Sequence, residues 1–289
     1  MKVCGFTIVR NAIKYSYPVI ESIKSILPLC DQMVVAVGKS DDETLNLIRS
    51  INDEKIVIVE TVWDDSLRKD GLVLSVETNK ALDAIVGEYD WCFYIQADEV
   101  LHEKYHPVIK AEMERWANDK NVEGLLFKYL HFWGTFDYVG VSRKWYRREI
   151  RIVRHDSRIR SYKDAQGFRK DDRKLNVKLI DAYIYHYGWV RPPEVIMNKM
   201  RNFHTYYHTG QDLEAVVSKV DDFDYSRIDA VRNFGDTHPK VMEELVKSLN
   251  WHVELDESKF KFNLKDSILY WFEKNFGYRL FEYKNYKII

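Results

Sequence analysis

Residues 91–99 read WCFYIQADE. Five apolar or aromatic side chains follow one another from Trp91 to Ile95, then Gln96 and Ala97 lead into an acidic pair, Asp98 and Glu99. An apolar run without alternation suits a strand buried on both faces, and such strands belong to parallel sheets covered by helices on each side. Upstream, residues 3–9, 33–37 and 56–59 predict three more strands of this kind. Helical patterns lie between them. Ser16 is placed to cap a helix reaching about Leu27, with Pro18 in its first turn, where a missing N–H does no harm. Ser40 or Asp41 is placed to cap a short helix carrying Leu45, Leu47 and Ile48. Residues 71–86 predict a longer helix, with Leu72, Val76, Leu82 and Ile85 towards one face. Alternation of this kind implies an α/β fold, Rossmann-like, with a mainly parallel sheet flanked by helices.

Beyond residue 100 the pattern changes. Residues 104–117 predict a helix, and residues 124–131, 150–153 and 177–185 predict strands. Residues 157–174 are dense in Arg, Lys and Asp and predict a polar loop. From Pro192 onward the reading is mostly helical. The expected division is therefore one α/β domain over 1–190 and a helical extension over 191–289 that packs on the core or on a partner, including a second copy of the chain.

Composition narrows the function classes. The 289 residues carry 44 Lys+Arg against 45 Asp+Glu, a net charge of −1, which argues against a general nucleic-acid binder. With 12 Gly and 6 Pro the chain is not a low-complexity or disordered one. Phe, Trp and Tyr together make 14% of it, so aromatic side chains need an explanation. Cys4, Cys30 and Cys92 show no metal or redox spacing and each adjoins an apolar run, as free buried thiols do. The N-terminal run makes a poor signal peptide, and no stretch reaches the ~18–20 apolar residues of a membrane span. The expected location is cytoplasmic, with peripheral contact at the inner face of the membrane through the basic, aromatic segment 264–289 as one option.

In open parallel sheets ligands bind beyond the carboxyl ends of the strands. Those ends are Arg10-Asn11, then 38–42 (GKSDD), then Trp63-Asp64-Asp65, then Gln96-Ala97-Asp98-Glu99. Two lesser motifs fail on inspection. Gly38-Lys39-Ser40 lacks the first glycine of a P-loop, since position 33 is Met33; His204 and His208 have metal spacing, but Thr205 stands where a zincin has Glu. No G-x-S-x-G occurs.

Five of these pieces, in order, resemble the nucleotide-sugar glycosyltransferases of the GT-A fold, the bacterial family-2-like group in particular. They are Val9-Arg10-Asn11, VVAVGKSDDET (34–44), Val62-Trp63-Asp64, Glu77-Thr78-Asn79, and Asp90-Trp91 leading to Gln96-Ala97-Asp98-Glu99. The resemblance implies an enzyme that moves a sugar from a nucleoside-diphosphate sugar to a hydroxyl acceptor, a glycan or lipid-linked glycan, with inversion. It implies Mn²⁺ or Mg²⁺ held by Asp98 and by His186, at the end of the strand 177–185. Donor contacts would come from Arg10, Asn11, Gly38, Trp63, Lys69, Asn79, Gln96 and Ala97, aided by the cationic run 143–154. Asp164, in the segment DAQGF, is the expected general base. Two positions depart from the family pattern. Gln96 stands where the first Asp of the D-x-D pair belongs, and Val37 or Gly38 where an acidic residue often meets the nucleoside.

Trp63, Trp133, Trp145 and Trp189 fall at strand ends or loops, where their rings would stack on a sugar. Two rivals stay open. A nucleotidyltransferase shares the sheet and metal logic, but usually needs a glycine-rich loop where this chain has Arg10-Asn11-Ala12. A non-catalytic sugar- or nucleotide-binding protein on a decayed scaffold would account for Gln96.

Overall fold

The computed structural model describes residues 1–67, 70–208, 210–220 and 223–289, with Lys219 by its backbone alone. Four strands, β1 (Val3–Val9), β2 (Gln32–Gly38), β3 (Ile56–Thr61) and β4 (Trp91–Tyr94), lie parallel in the order β4-β1-β2-β3. All seven residues of β1 are buried, because both faces of the sheet are covered. Cys4, Phe6 and Ile8 pack towards α3 (Leu72–Asp83). Val3 and Val9 belong to the opposite cluster, with α1 (Val19–Ile26) and α4 (His106–Trp116). Each such fully buried aliphatic or aromatic side chain contributes roughly 1.5–3 kcal/mol relative to an exposed one. The mixed α/β architecture expected of the sequence is the one observed.

Three local expectations are corrected. Ser16 does not cap α1; it stands at φ 50°, and the helix begins only at Val19, after Pro18. A residue preceding proline is steered away from helical angles, so Tyr17 cannot extend the helix backwards. Ser40 and Asp41 do not cap α2 (Thr44–Arg49) either, because they bond to Asn11, and Asp42 accepts the Thr44 amide at 3.0 Å. The third correction is larger. Residues 157–174 form an antiparallel sheet of β9 (Ile159–Tyr162), β10 (Gly167–Lys170) and β11 (Arg173–Lys174) rather than a loop. Its Ile159 and Phe168 point into the core, with Phe168 edge-on to Tyr94 at 5.6 Å.

The second half of the main sheet mixes directions. β8 (Arg148–Arg154) runs antiparallel between β4 and β6 (Gly124–Trp133), and β7 (Tyr138–Gly140) continues on the far side of β6. The longest strand, β12 (Asn176–Trp189), lies parallel to β6 and antiparallel to β5 (Glu99–Leu101). Its register slips between Leu179 and Tyr183 and again between His186 and Trp189. Those irregularities leave His186 opposite both His131 and Glu99. Past residue 190 come α5 (Pro193–Thr205), α6 (Gly210–Val220), α7 (Glu243–Lys247) and α8 (Leu264–Phe276). Two short strands return to the sheet: β13 (Val231–Asn233) on β7 and β14 (Lys287–Ile288) on β12. Among the described residues no helix is long and apolar enough to cross a membrane.

Candidate active site

A cavity of about 400 Å³ opens at the carboxyl ends of β1 and β4, within the size range of small-molecule sites. Arg10 reaches it from β1, Trp63 from the segment after β3, and Gln96, Ala97 and Asp98 from the end of β4. The β9–β10 turn contributes Asp164, Ala165 and Gln166; β12 contributes His186, Gly188 and Trp189. One wall is α5, with Lys199, Asn202 and Phe203, followed by Tyr206 and Tyr207.

Asp98 is the most enclosed carboxylate of the cavity, 9% exposed. Its Oδ2 accepts a hydrogen bond from Lys199 Nζ at 3.0 Å and lies 4.0 Å from Arg191 Nη2. Burial works against its charge, but Lys199 and Arg191 hold it below the usual carboxylate range. Burial also lowers Lys199 to about 8 and His186 to about 4, the latter opposed by Asp98. The His186 ring is placed by its neighbours: its Nδ1 lies 3.1 Å from His131 Nδ1, and His131 Nε2 lies 2.8 Å from the Tyr146 carbonyl. A carbonyl only accepts, so His131 Nε2 carries the proton and its Nδ1 accepts from His186 Nδ1. His186 Nε2 is then a lone pair, 3.7 Å from Asp98 Oδ1. The two do not form an ion pair; the nearest cation to Asp98 is Lys199, with Arg191 at 4.0 Å.

These residues do not fit a divalent cation. Asp98 and His186 come together as the resemblance implied, but among the described residues no group of three His, Cys, Asp or Glu gathers. Gln96, in the place of the first Asp, turns its amide to the Ala165 carbonyl at 3.4 Å. One carboxylate with two cations within 4.0 Å already leaves a positive cluster, which would repel a Mn²⁺ or Mg²⁺ ion.

Beneath the cavity lies a fully buried pair. Arg151 donates Nε to Glu99 Oε2 at 2.8 Å and Nη2 to Oε1 at 2.7 Å, and Tyr129 OH donates to Oε1 at 2.8 Å. Glu99 Oε2 also accepts the Gln96 amide at 3.1 Å, so this pair fixes the turn that aims Asp98. The acidic pair of the sequence thus has two unlike roles. Asp98 faces the cavity, and Glu99 supports it from below.

Asp164 stands at the tip of the β9–β10 turn, between Lys163 at φ 54° and Ala165 at φ 60°. Two left-handed non-glycine residues on either side of one carboxylate mark a turn held by its surroundings. Here the holding contacts are Gln96 on the Ala165 carbonyl and Arg151 on the Gln166 carbonyl, each at 3.4 Å. The half-buried Asp164 carboxylate accepts from Tyr207 OH at 3.0 Å, and among the described residues its second oxygen has no hydrogen-bond partner.

Other expected donor contacts lie behind the walls. Asn11 pairs with the amide and carboxylate of Asp41. Gly38 sits under the Trp63 indole, where an added Cβ would come within 2.7 Å of Cδ1. Asn79 ties α3 to β9 by accepting the Ser161 amide at 2.8 Å. Lys69 lies outside the described residues. Within the run 143–154 the cations are engaged structurally: Arg143 with Glu273, Arg147 with Glu282, and Arg154 with backbone carbonyls over the Trp91 ring. Of the four tryptophans, Trp63 and Trp189 line the cavity. Trp133 instead donates to the Tyr225 carbonyl, and Trp145 packs on Gly140. Sequence reasoning missed Lys199, Tyr206 and Tyr207, which carry no motif. In the stretch preceding them only His186 and Trp189 stood out in the sequence.

No family model matches the chain, and no curated protein matches it. Among solved structures it is similar to S. aureus TarS residues 1–349 in complex with UDP: 15% identity over 76% of this chain and 70% of that one, TM-score 0.40. Another is glucosyl-3-phosphoglycerate synthase from Mycobacterium tuberculosis with Mn²⁺, UDP and phosphoglyceric acid: 17% identity, 45% and 43% covered, TM-score 0.31. Likeness of this degree carries no activity across.

Proposed function

We propose that the chain is a glycosyltransferase that moves a sugar from a nucleoside-diphosphate sugar to a hydroxyl acceptor with inversion. The observation that carries this reading is the convergence, in one aromatic-walled cavity, of fixed cations and of a carboxylate, Asp164, with an oxygen to spare. A nucleoside-diphosphate sugar asks for both: positive charge for the diphosphate, and a base near the reacting carbon. In the step, the acceptor oxygen bonds to the anomeric carbon as the bond from that carbon to the diphosphate oxygen breaks. The electron pair leaves with the diphosphate, and the hydroxyl proton passes to Asp164. Arg10, Trp63, Gln96 and Ala97 line the donor space, where Arg10 is held by Asp65 at 2.7 Å and lies 5.7 Å from the Trp63 ring centre. Asn11, Gly38 and Asn79 act through the residues they position. Trp189 offers a ring to the sugar.

The test is a panel of nucleoside-diphosphate sugars offered with and without polyol or glycan acceptors, following release of nucleoside diphosphate. Asp164→Asn is expected to lower turnover about 10²–10⁴-fold with donor affinity little changed. Turnover near that of the unaltered chain would remove Asp164 from the role. A second reading, a non-catalytic nucleotide-binding protein, draws support from Gln96 and from the engagement of Asp98 by Lys199. It predicts donor binding with no release from any member of the panel.

A further inference from the structure

We infer that this chain supplies its own fixed cation where a divalent metal would otherwise stand: the Lys199 ammonium, backed by the Arg191 guanidinium, receives the diphosphate. The inference rests on the donor reading above and concerns how that donor is held. Lys199 has three N–H donors. One goes to Asp98 Oδ2 at 3.0 Å and one to the Gly188 carbonyl at 2.9 Å, while the side chain lines the cavity. Its third donor has no partner among the described residues and is left for a ligand.

Arg191 is fully buried. Its Nε donates to the Tyr15 carbonyl at 2.7 Å and its Nη1 to the Tyr187 carbonyl at 2.9 Å. Nη2 has no hydrogen-bond partner among the described residues and lies 4.0 Å from Asp98 Oδ2. A buried charged donor left without a partner is costly unless something completes it. The Tyr17 ring lies 5.0 Å from the Arg191 guanidinium and 5.1 Å from Lys199 Nζ. Its π-face, with the Asp98 carboxylate, lets two cations share a buried site.

Asp98 cancels one of the two cations and leaves the cluster positive, which repels a divalent ion and attracts a diphosphate. Asp98 is then a positioning residue that fixes the Lys199 ammonium, rather than a metal ligand. As the anomeric carbon–oxygen bond breaks, charge growing on the leaving oxygen meets a cation already in place.

Binding of UDP, GDP, ADP, CDP and TDP by calorimetry, in EDTA and in excess Mn²⁺, tests the inference. At least one nucleotide is expected to bind in EDTA within about threefold of its affinity in Mn²⁺, and Lys199→Met to weaken that binding by about tenfold or more. Lys199→Arg recovers most of the loss, and Asp98→Asn, which removes the neutralising charge, strengthens binding. Thermal melts of each variant separate lost contacts from lost folding. Binding that needs Mn²⁺ and disappears in Asp98→Asn would overturn the fixed cation and leave the donor reading standing. No binding of any nucleotide in either buffer would overturn both.

Discussion

Glu99 and Arg151 bury their charges almost completely, 0% and 1% exposed. Their stability logic follows from that burial. Arg151→Met strands the Glu99 carboxylate with Tyr129 and one amide, and is expected to lower unfolding free energy by about 3–5 kcal/mol in urea titration. The double variant Glu99→Leu/Arg151→Met should recover most of the loss, because no lone charge remains. Equal loss in the single and double variants would mean that packing, not charge, holds the turn. At this scale the sequence showed that two carboxylates end β4, but not their division of labour. The turn at Gln96 rotates consecutive side chains to opposite sides, and only the partners, 52 residues away for Glu99 and 101 for Asp98, tell them apart.

The strands β9, β10 and β11 show why one element escaped the reading. Arg160, Arg169, Lys170 and Arg173 gave residues 157–174 the look of a solvated loop. Arg169 in fact stacks over Tyr162 at 4.5 Å, while Lys170 and Arg173 converge on Glu123. The apolar residues Ile159 and Phe168 were too sparse to reveal a strand through that charge. Burial works against the Glu123 charge, yet Arg173, Lys170 and the Asn176 amide lower its pKa to about 2. A depressed carboxylate contributes stability that is fully present above its ordinary value near 4.5 and is lost as pH falls through about 2. Melting of the unaltered chain should therefore weaken across that window by on the order of 2–3 kcal/mol. Glu123→Gln is expected to begin less stable and to lose less than the unaltered chain across that window by about that amount; parallel pH profiles for the two proteins would refute the clamp. The buried strands β1, β2 and β4 were legible because their apolar runs face no competing signal.

Helix α8 presents Leu264, Ile268 and Trp271 on one exposed face, 58–80% exposed, while Glu273 on another face anchors it to Arg143 and Arg279. Spacing of i, i+4 and i+7 makes this a continuous apolar stripe. An exposed apolar stripe beside basic residues suits the surface of an anionic bilayer. Co-sedimentation with anionic liposomes is expected for the unaltered chain and lost in Ile268→Glu/Trp271→Glu, whose exposed positions leave the fold intact. Retained binding in that variant would dissociate α8 from membranes.

Across the whole molecule, the cavity is assembled from β1, β4, the β9–β10 turn, β12 and α5, so its members are scattered along most of the chain. The aromatic excess resolves on the same scale. Phe6, Tyr94 and Phe168 form core, Trp63 and Trp189 line the cavity, and Trp271 stands in solvent. The first hundred residues announced the parallel half of the sheet and the carboxylate at its end. The cation opposite could not be read, since Lys199 is one of many lysines until α5 folds over the sheet. That separation matters during synthesis. Asp98 emerges 101 residues ahead of Lys199, an interval of roughly 5–20 s at ~5–20 residues per second. Until Arg191 and Lys199 have been made, a nascent chain holds Asp98 without its cationic partners. The cavity is thus complete only once α5 has been made, and a product interrupted before α5 has the sheet and Asp98 without the Lys199 cation.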